Sequence, residues 1–269
     1  SEFEIEIASE NVKSKSITVN LKTIPEDKET GLKDYTYVAE VNGNKKEIEN
    51  VTATAYKITE LEPETKYKVY VLAFDNVENY RKSNVIEITT QAYTPPTTSV
   101  GTTHPTGHNL DDPNGGYNYS WDEIAELAEI ISNNNRASIT YTTPEVTINM
   151  DGETYTLGAG DYKNVTYNGV AKRVRILGFN HDSLSSTEAY GEGKSNTYAG
   201  ISFEFTDFIM NEKMNTTQTN SGGWGACRLR NNIFKMDDVI NKINIYEEIK
   251  EVTKTYNIGD ASYTNRNCN

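Results

Sequence analysis

At 269 residues the chain has room for two domains, and its 39 acidic against 26 basic residues give a formal net charge of −13. That excess argues against nucleic-acid binding, which needs a basic surface to neutralise phosphates, and favours a well-solvated, self-repelling surface. Two cysteines, Cys227 and Cys268, exclude a disulfide scaffold but leave one bridge or two thiols open, and no apolar run reaches the roughly 18 residues of a membrane-spanning helix.

The chain opens on Ser1-Glu-Phe-Glu-Ile-Glu-Ile7, which already alternates like a strand. With neither an initiating Met nor a signal segment, it reads as a fragment or as a mature chain lacking its targeting segment. The hydrophobic fraction is only 36%, and 18 tyrosines supply much of the burial, which suits β structure. Residues 1–92 read as short strands at regular spacing. Ile17, Val19 and Leu21 alternate with Thr18 and Asn20; Tyr35, Tyr37 and Ala39 alternate with Thr36 and Val38 ahead of an Asn42-Gly43 turn. Tyr67, Val69 and Val71 follow, and Val85, Ile86 and Ile88 close the set.

Leu61-Glu-Pro63-Glu-Thr65-Lys-Tyr67-Lys-Val69-Tyr-Val71 is the most specific segment here. Pro63 fixes a bend, and Tyr67 is placed to send its hydroxyl back to the backbone as a tyrosine corner. With Gly31 to Tyr37 as a third strand, residues 1–92 resemble a fibronectin type III domain, an all-β immunoglobulin-like sandwich. They depart from it in lacking the tryptophan that many members carry on the second strand. The resemblance implies a stalk that holds another domain away from a surface.

From Tyr93-Thr-Pro95-Pro96 to Tyr119 the composition is polar with prolines and glycines, which predicts a linker over 93–119. His104, His108, Asp111 and Asp112 fall inside it and read as a solvated loop, so no metal site is expected. Residues 120–269 read as an α+β domain. Ser120 and Glu123 form a capping box, and Ile124, Leu127, Ala128 and Ile131 form one helical face. Hairpins are predicted at Asp151-Gly152 and Asn168-Gly169. Phe203 to Met210 reads as a short helix, and helical character is expected from Leu229 to about Lys254.

The series Gly160-Asp-Tyr162, Val174-Arg-Ile-Leu-Gly-Phe-Asn-His-Asp182, Gly200-Ile-Ser-Phe203, Met214-Asn-Thr216 and Gly222-Gly-Trp224 to Arg230 resembles an uncharacterised domain family of Gram-positive gut bacteria and their prophages. Its members often sit behind immunoglobulin-like or fibronectin-like repeats, some carry a pilin-like anchor, and their later strands hint at a C-type-lectin-like core. Those strands are missing beyond Asn269, so a lectin-like core is expected to be truncated here. The resemblance implies a cell-surface or secreted adhesion protein that binds a glycan or protein. A structural component of a pilus, surface layer or phage tail, or an accessory module of an extracellular enzyme, are the other readings.

Two groups of residues are candidates for a ligand face. Trp224 can stack on a sugar while Arg228 and Arg230 grip carboxylates, with packing of Trp224 among Gly222 and Gly223 as the rival role. Asn180-His181-Asp182 invites a base and its carboxylate, but neighbouring residues on extended chain point apart. Neither a Gly-x-Ser-x-Gly elbow nor a phosphate loop occurs, so neither an enzyme nor a cofactor is expected.

Overall fold

The alternating segments of the first 92 residues form two facing antiparallel sheets in the computed structural model, which describes residues 2–105, 107–185, 190, 196–209, 213–219, 221, 223–229, 231, 242–245, 249–257 and 263–268. The chain divides into two units, Ser1–Pro95 with Met150–Gly152, and Pro96–Asn149 with Glu153–Asn269. In the first, β1 (Ile5–Glu6), β2 (Ile17–Leu21) and β5 (Ala55–Ile58) make one sheet in the order β1-β2-β5. The other contains β3 (Leu32–Val41), β4 (Asn44–Val51), β6 (Lys66–Asp75), β7 (Tyr80–Lys82) and β8 (Ile86–Thr89), in the order β4-β3-β6-β7 with β8 also on β6. Ile5, Ile17, Val19 and Ile58 meet Tyr35, Tyr37, Tyr67, Val69 and Val71 in one core, so the inward set of each strand is the apolar set of its alternation.

Two of the buried tyrosines in this core find partners for their hydroxyls. The Tyr37 hydroxyl donates to the Ala53 carbonyl at 2.7 Å. That of Tyr67 accepts from the Glu62 backbone N–H at 2.9 Å, five residues upstream, which is the predicted tyrosine corner. Leu61 is buried beneath the bend.

The second unit is α+β. Its elements are β9 (Thr97–Gly101), β10 (Asp111–Asp112), β11 (Tyr117–Asn118), α1 (Trp121–Ser132), β12 (Glu145–Met150), β13 (Glu153–Gly158), β14 (Tyr162–Tyr167), β15 (Val170–Phe179), β16 (Ser183–Leu184), β17 (Ile201–Phe205), α2 (Gly223–Ala226), β18 (Val252–Asn257) and β19 (Tyr263–Cys268). The sheets run β13-β12-β9, β14-β15-β17, β16-β18-β19 and β10-β11. Ser120 caps α1 as predicted: its Oγ accepts from Glu123 N–H at 3.1 Å, and Glu123 Oε2 accepts from Ser120 N–H at 2.8 Å. Ile124, Leu127, Ala128 and Ile131 are its buried face. Asn42-Gly43, Asp151-Gly152 and Asn168-Gly169 all hold two successive positive φ angles, the geometry of tight hairpin turns that follow right-twisted strands.

Three expectations are corrected. The segment 93–119 is no plain linker: Thr97 to Gly101 pairs antiparallel with Glu145 to Asn149, and β10 pairs with β11. It resembled a linker because β9 is an almost wholly exposed edge strand with no apolar face. Where a helix is expected over Phe203 to Met210, Phe203 to Phe205 instead belong to β17, paired with β15 from Val174↔Phe205 to Phe179↔Ile201, and Met210 lies outside the described residues. Period-2 alternation of Ile201, Phe203 and Phe205 outweighs the helical spacing of Phe205, Phe208 and Ile209. Much of the stretch from Leu229 to about Lys254, expected to be helical, lies outside the described residues, and its end is not helical: Val252 opens β18, paired with β19.

Candidate functional site

A histidine–carboxylate cluster forms where the residues after β9 cross the turn between β13 and β14. Backbone bonds hold this arm in place: Tyr162 N–H donates to His108 O at 2.9 Å, and Leu110 N–H donates to Tyr162 O at 2.8 Å. The arm thereby delivers His104 and His108 to Asp161, which is fully buried. His104 Nε2 lies 2.9 Å from Asp161 Oδ1, and its Nδ1 lies 2.8 Å from Glu145 Oε2 at the start of β12. Asp161 is held from the backbone as well, with His108 N–H on Oδ1 at 2.9 Å and Gly158 N–H on Oδ2 at 2.8 Å. The Nδ1 of His108 sits 3.3 Å from Asp161 Oδ1, is buried, and makes no hydrogen bond.

The surroundings fix both rings. Tyr117 stacks on His108 with centroids 4.3 Å apart and an 11° tilt. A Cβ at position 158 would fall 1.9 Å from the His104 ring, so only glycine leaves room for it. Burial pushes His104 down, but the hydrogen bonds and charges of Asp161 and Glu145 outweigh it and hold the imidazole above its usual range. The solvated-loop expectation is therefore overturned for His104, whose side chain is 1% exposed. Asp111 and Asp112 lie elsewhere: Asp111 pairs with Lys163 and accepts from Asn164 N–H at 2.8 Å, and Asp112 accepts from Asn114 N–H. Asp161, Glu145 and Gly158 were missed. The signal available in sequence was the His104-x3-His108 spacing, a metal-pair spacing in zinc proteins.

Residues nominated from sequence are placed as follows. Asn180 is fully buried, and its amide donates to Ile131 O at 2.9 Å and Ile139 O at 3.0 Å; it ties the end of α1 to the following loop. His181 and Asp182 do meet, Nδ1 to Oδ1 at 2.8 Å, because the chain turns there rather than running extended. Ser202 Oγ donates to the other oxygen of Asp182 at 2.8 Å. The carboxylate stands between hydroxyl and imidazole, so His181 does not receive the Ser202 proton, and the three do not assemble a nucleophilic relay.

Trp224 lies on the four-residue α2, and its side chain falls outside the described residues, as does all of Arg230. Arg228 donates from its backbone to Asn215 Oδ1 at 2.9 Å and from Nη1 to Lys213 O at 3.3 Å, while the Asn215 amide donates to Thr219 O at 2.8 Å. Asn215 thus pins the loop. Cys227 is buried, and Cys268 ends β19 with its side chain outside the described residues, so the pairing of the two lies outside them too.

A cavity of about 430 Å³ opens beside α1 and β17, with a mostly apolar wall that includes Trp121, Phe203, Tyr190 and Ile245. Trp121 and Phe203 meet edge to face at 5.4 Å. Asp182, Glu204 and Lys250 supply charge on its wall. Asp182 is the one nominated residue that the described structure brings to this cavity.

No protein-family model and no curated protein matches the chain. Solved structures similar to part of it include fibronectin type III domains. The sixth such domain of human fibronectin type III domain containing protein 3 is 20% identical, covering 36% of this chain and 91% of that one at a TM-score of 0.31. The FN5 domain of Drosophila Lar is 20% identical, covering 34% and 97% at a TM-score of 0.29. With its two sheets and tyrosine corner, the N-terminal unit is fibronectin type III-like.

Proposed function

We propose that this is a surface-displayed or secreted recognition protein, in which the fibronectin-like unit is a spacer and the α+β unit engages an extracellular glycan or protein. A Gram-positive cell surface or prophage is the setting that the sequence resemblance suggests. The observation that carries the reading is the cavity beside Trp121: its volume and mostly apolar, aromatic wall with a few charged groups fit a binding pocket. A sugar ring or an aromatic side chain would lie against Trp121 and Phe203, with Asp182 available to orient its polar edge.

Glycan and extracellular-protein arrays probed with the intact chain test this. Selective binding that falls at least about tenfold in Trp121→Ala is expected, in line with the loss of one buried aromatic anchor. No array binding, or binding indifferent to Trp121→Ala and Asp182→Asn, would remove the cavity from the account.

A further inference from the structure

We propose that His104, His108 and Asp161 bind a divalent transition-metal ion of the zinc class, with Glu145 orienting His104 from behind. His104, His108 and Asp161 each offer one ligand atom, and these atoms all lie within 4.8 Å of one another. Tetrahedral zinc with bonds of about 2.0–2.1 Å spaces its ligand atoms about 3.3–3.4 Å apart. The observed 2.9 Å from His104 to Asp161 and 3.3 Å from His108 to Asp161 sit close to that edge.

Proton counting points the same way. In the tautomer that donates Nδ1–H to Glu145, a neutral His104 ring carries its lone pair on Nε2. That lone pair then faces the lone pairs of Asp161 Oδ1, and the unpartnered Nδ1 of His108 adds a third donor to the same point. Such convergence is repulsive unless a cation lies between the atoms. An imidazolium at His104 answers only part of it, since one positive charge stands against two carboxylates and His108 Nδ1 stays unsatisfied. A divalent ion balances both carboxylates and satisfies all three atoms, at a point where the His104 and Asp161 side chains are shut off from solvent. The carboxylate behind a ligating imidazole is the usual outer support of such sites. Three protein ligands leave the fourth tetrahedral position to water. The ion would fasten the arm after β9 to the β13–β14 turn.

The experiment is metal uptake by the intact chain after chelation and dialysis. Zinc is measured by elemental analysis and calorimetry, and cobalt by its visible absorption, for the wild type, His108→Ala, Glu145→Gln and the exposed His181→Ala, which makes no contact with the cluster among the described hydrogen bonds and ion pairs. We expect one ion per chain and an intense tetrahedral cobalt band in the wild type and in His181→Ala. Affinity should fall at least about 100-fold in His108→Ala and about 10–100-fold in Glu145→Gln. Absence of uptake by the folded wild type would overturn the proposal, as would uptake unchanged in His108→Ala or lost in His181→Ala.

Discussion

Replacing Asn180 by alanine tests whether this residue serves packing or a ligand. Its amide bridges Ile131 O and Ile139 O at 2.9 and 3.0 Å in a fully buried setting, and its own φ is 45°. The Ile131 carbonyl keeps a backbone donor from Asn134, so the change strips one acceptor of a shared bond and leaves the buried Ile139 carbonyl without the amide. Two lost bonds at about 1 kcal/mol each, with the added cost of a stranded carbonyl, give about 2–3 kcal/mol. Alanine in the left-handed region adds about 1 kcal/mol that asparagine tolerates better. Asn180→Ala should therefore cost about 3–4 kcal/mol, lowering the melting temperature of the second unit by roughly 6–16 °C at about 2–4 °C per kcal/mol. Asn180→Gly should recover about 1 kcal/mol, since it removes the strain but not the lost bonds. Chemical denaturation followed by circular dichroism reads both. A loss below about 0.5 kcal/mol, or no recovery in the glycine variant, would refute the reasoning.

Other outcomes follow from the same geometry. Tyr67→Phe leaves the Glu62 N–H without its acceptor and should cost the first unit about 1–2 kcal/mol in urea denaturation, with the sandwich spectrum retained. Ser120→Ala removes the side-chain half of the capping box and should cost the second unit about 1 kcal/mol, while Ser120→Asp should restore most of it. Burial pushes the Tyr37 hydroxyl up to about 12. The folded state then holds this proton more tightly than the unfolded chain, so its contribution is intact below about pH 10 and is lost as pH climbs from there through about 12. Denaturation along that range should show a falling stability whose slope shrinks in Tyr37→Phe.

What could be read in the sequence depended on how local its cause was. Strand alternation, the Leu61-to-Tyr67 corner, the Ser120 cap and the Asn-Gly and Asp-Gly turns are each specified within a few residues, and each is present. The β9 strand was hidden because Thr97 to Gly101 has no buried face, so its only reason to be a strand is the partner at Glu145 to Asn149. The His104 cluster was hidden for a related reason: its carboxylates sit 41 and 57 residues away and arrive through pairing that no local pattern encodes. Asn180 looked like a site residue because a polar triplet at a strand end suits chemistry and turn-making equally. Its burial and positive φ assign it to the turn.

The most direct test of the recognition reading is the emission of Trp121 itself, in the intact chain carrying Trp224→Phe, as an array-selected ligand is titrated. A saturable change in Trp121 fluorescence at one site per chain, with the midpoint equal to the independently measured Kd, is the predicted result. Tight binding of that ligand with Trp121 emission unaltered would contradict the account.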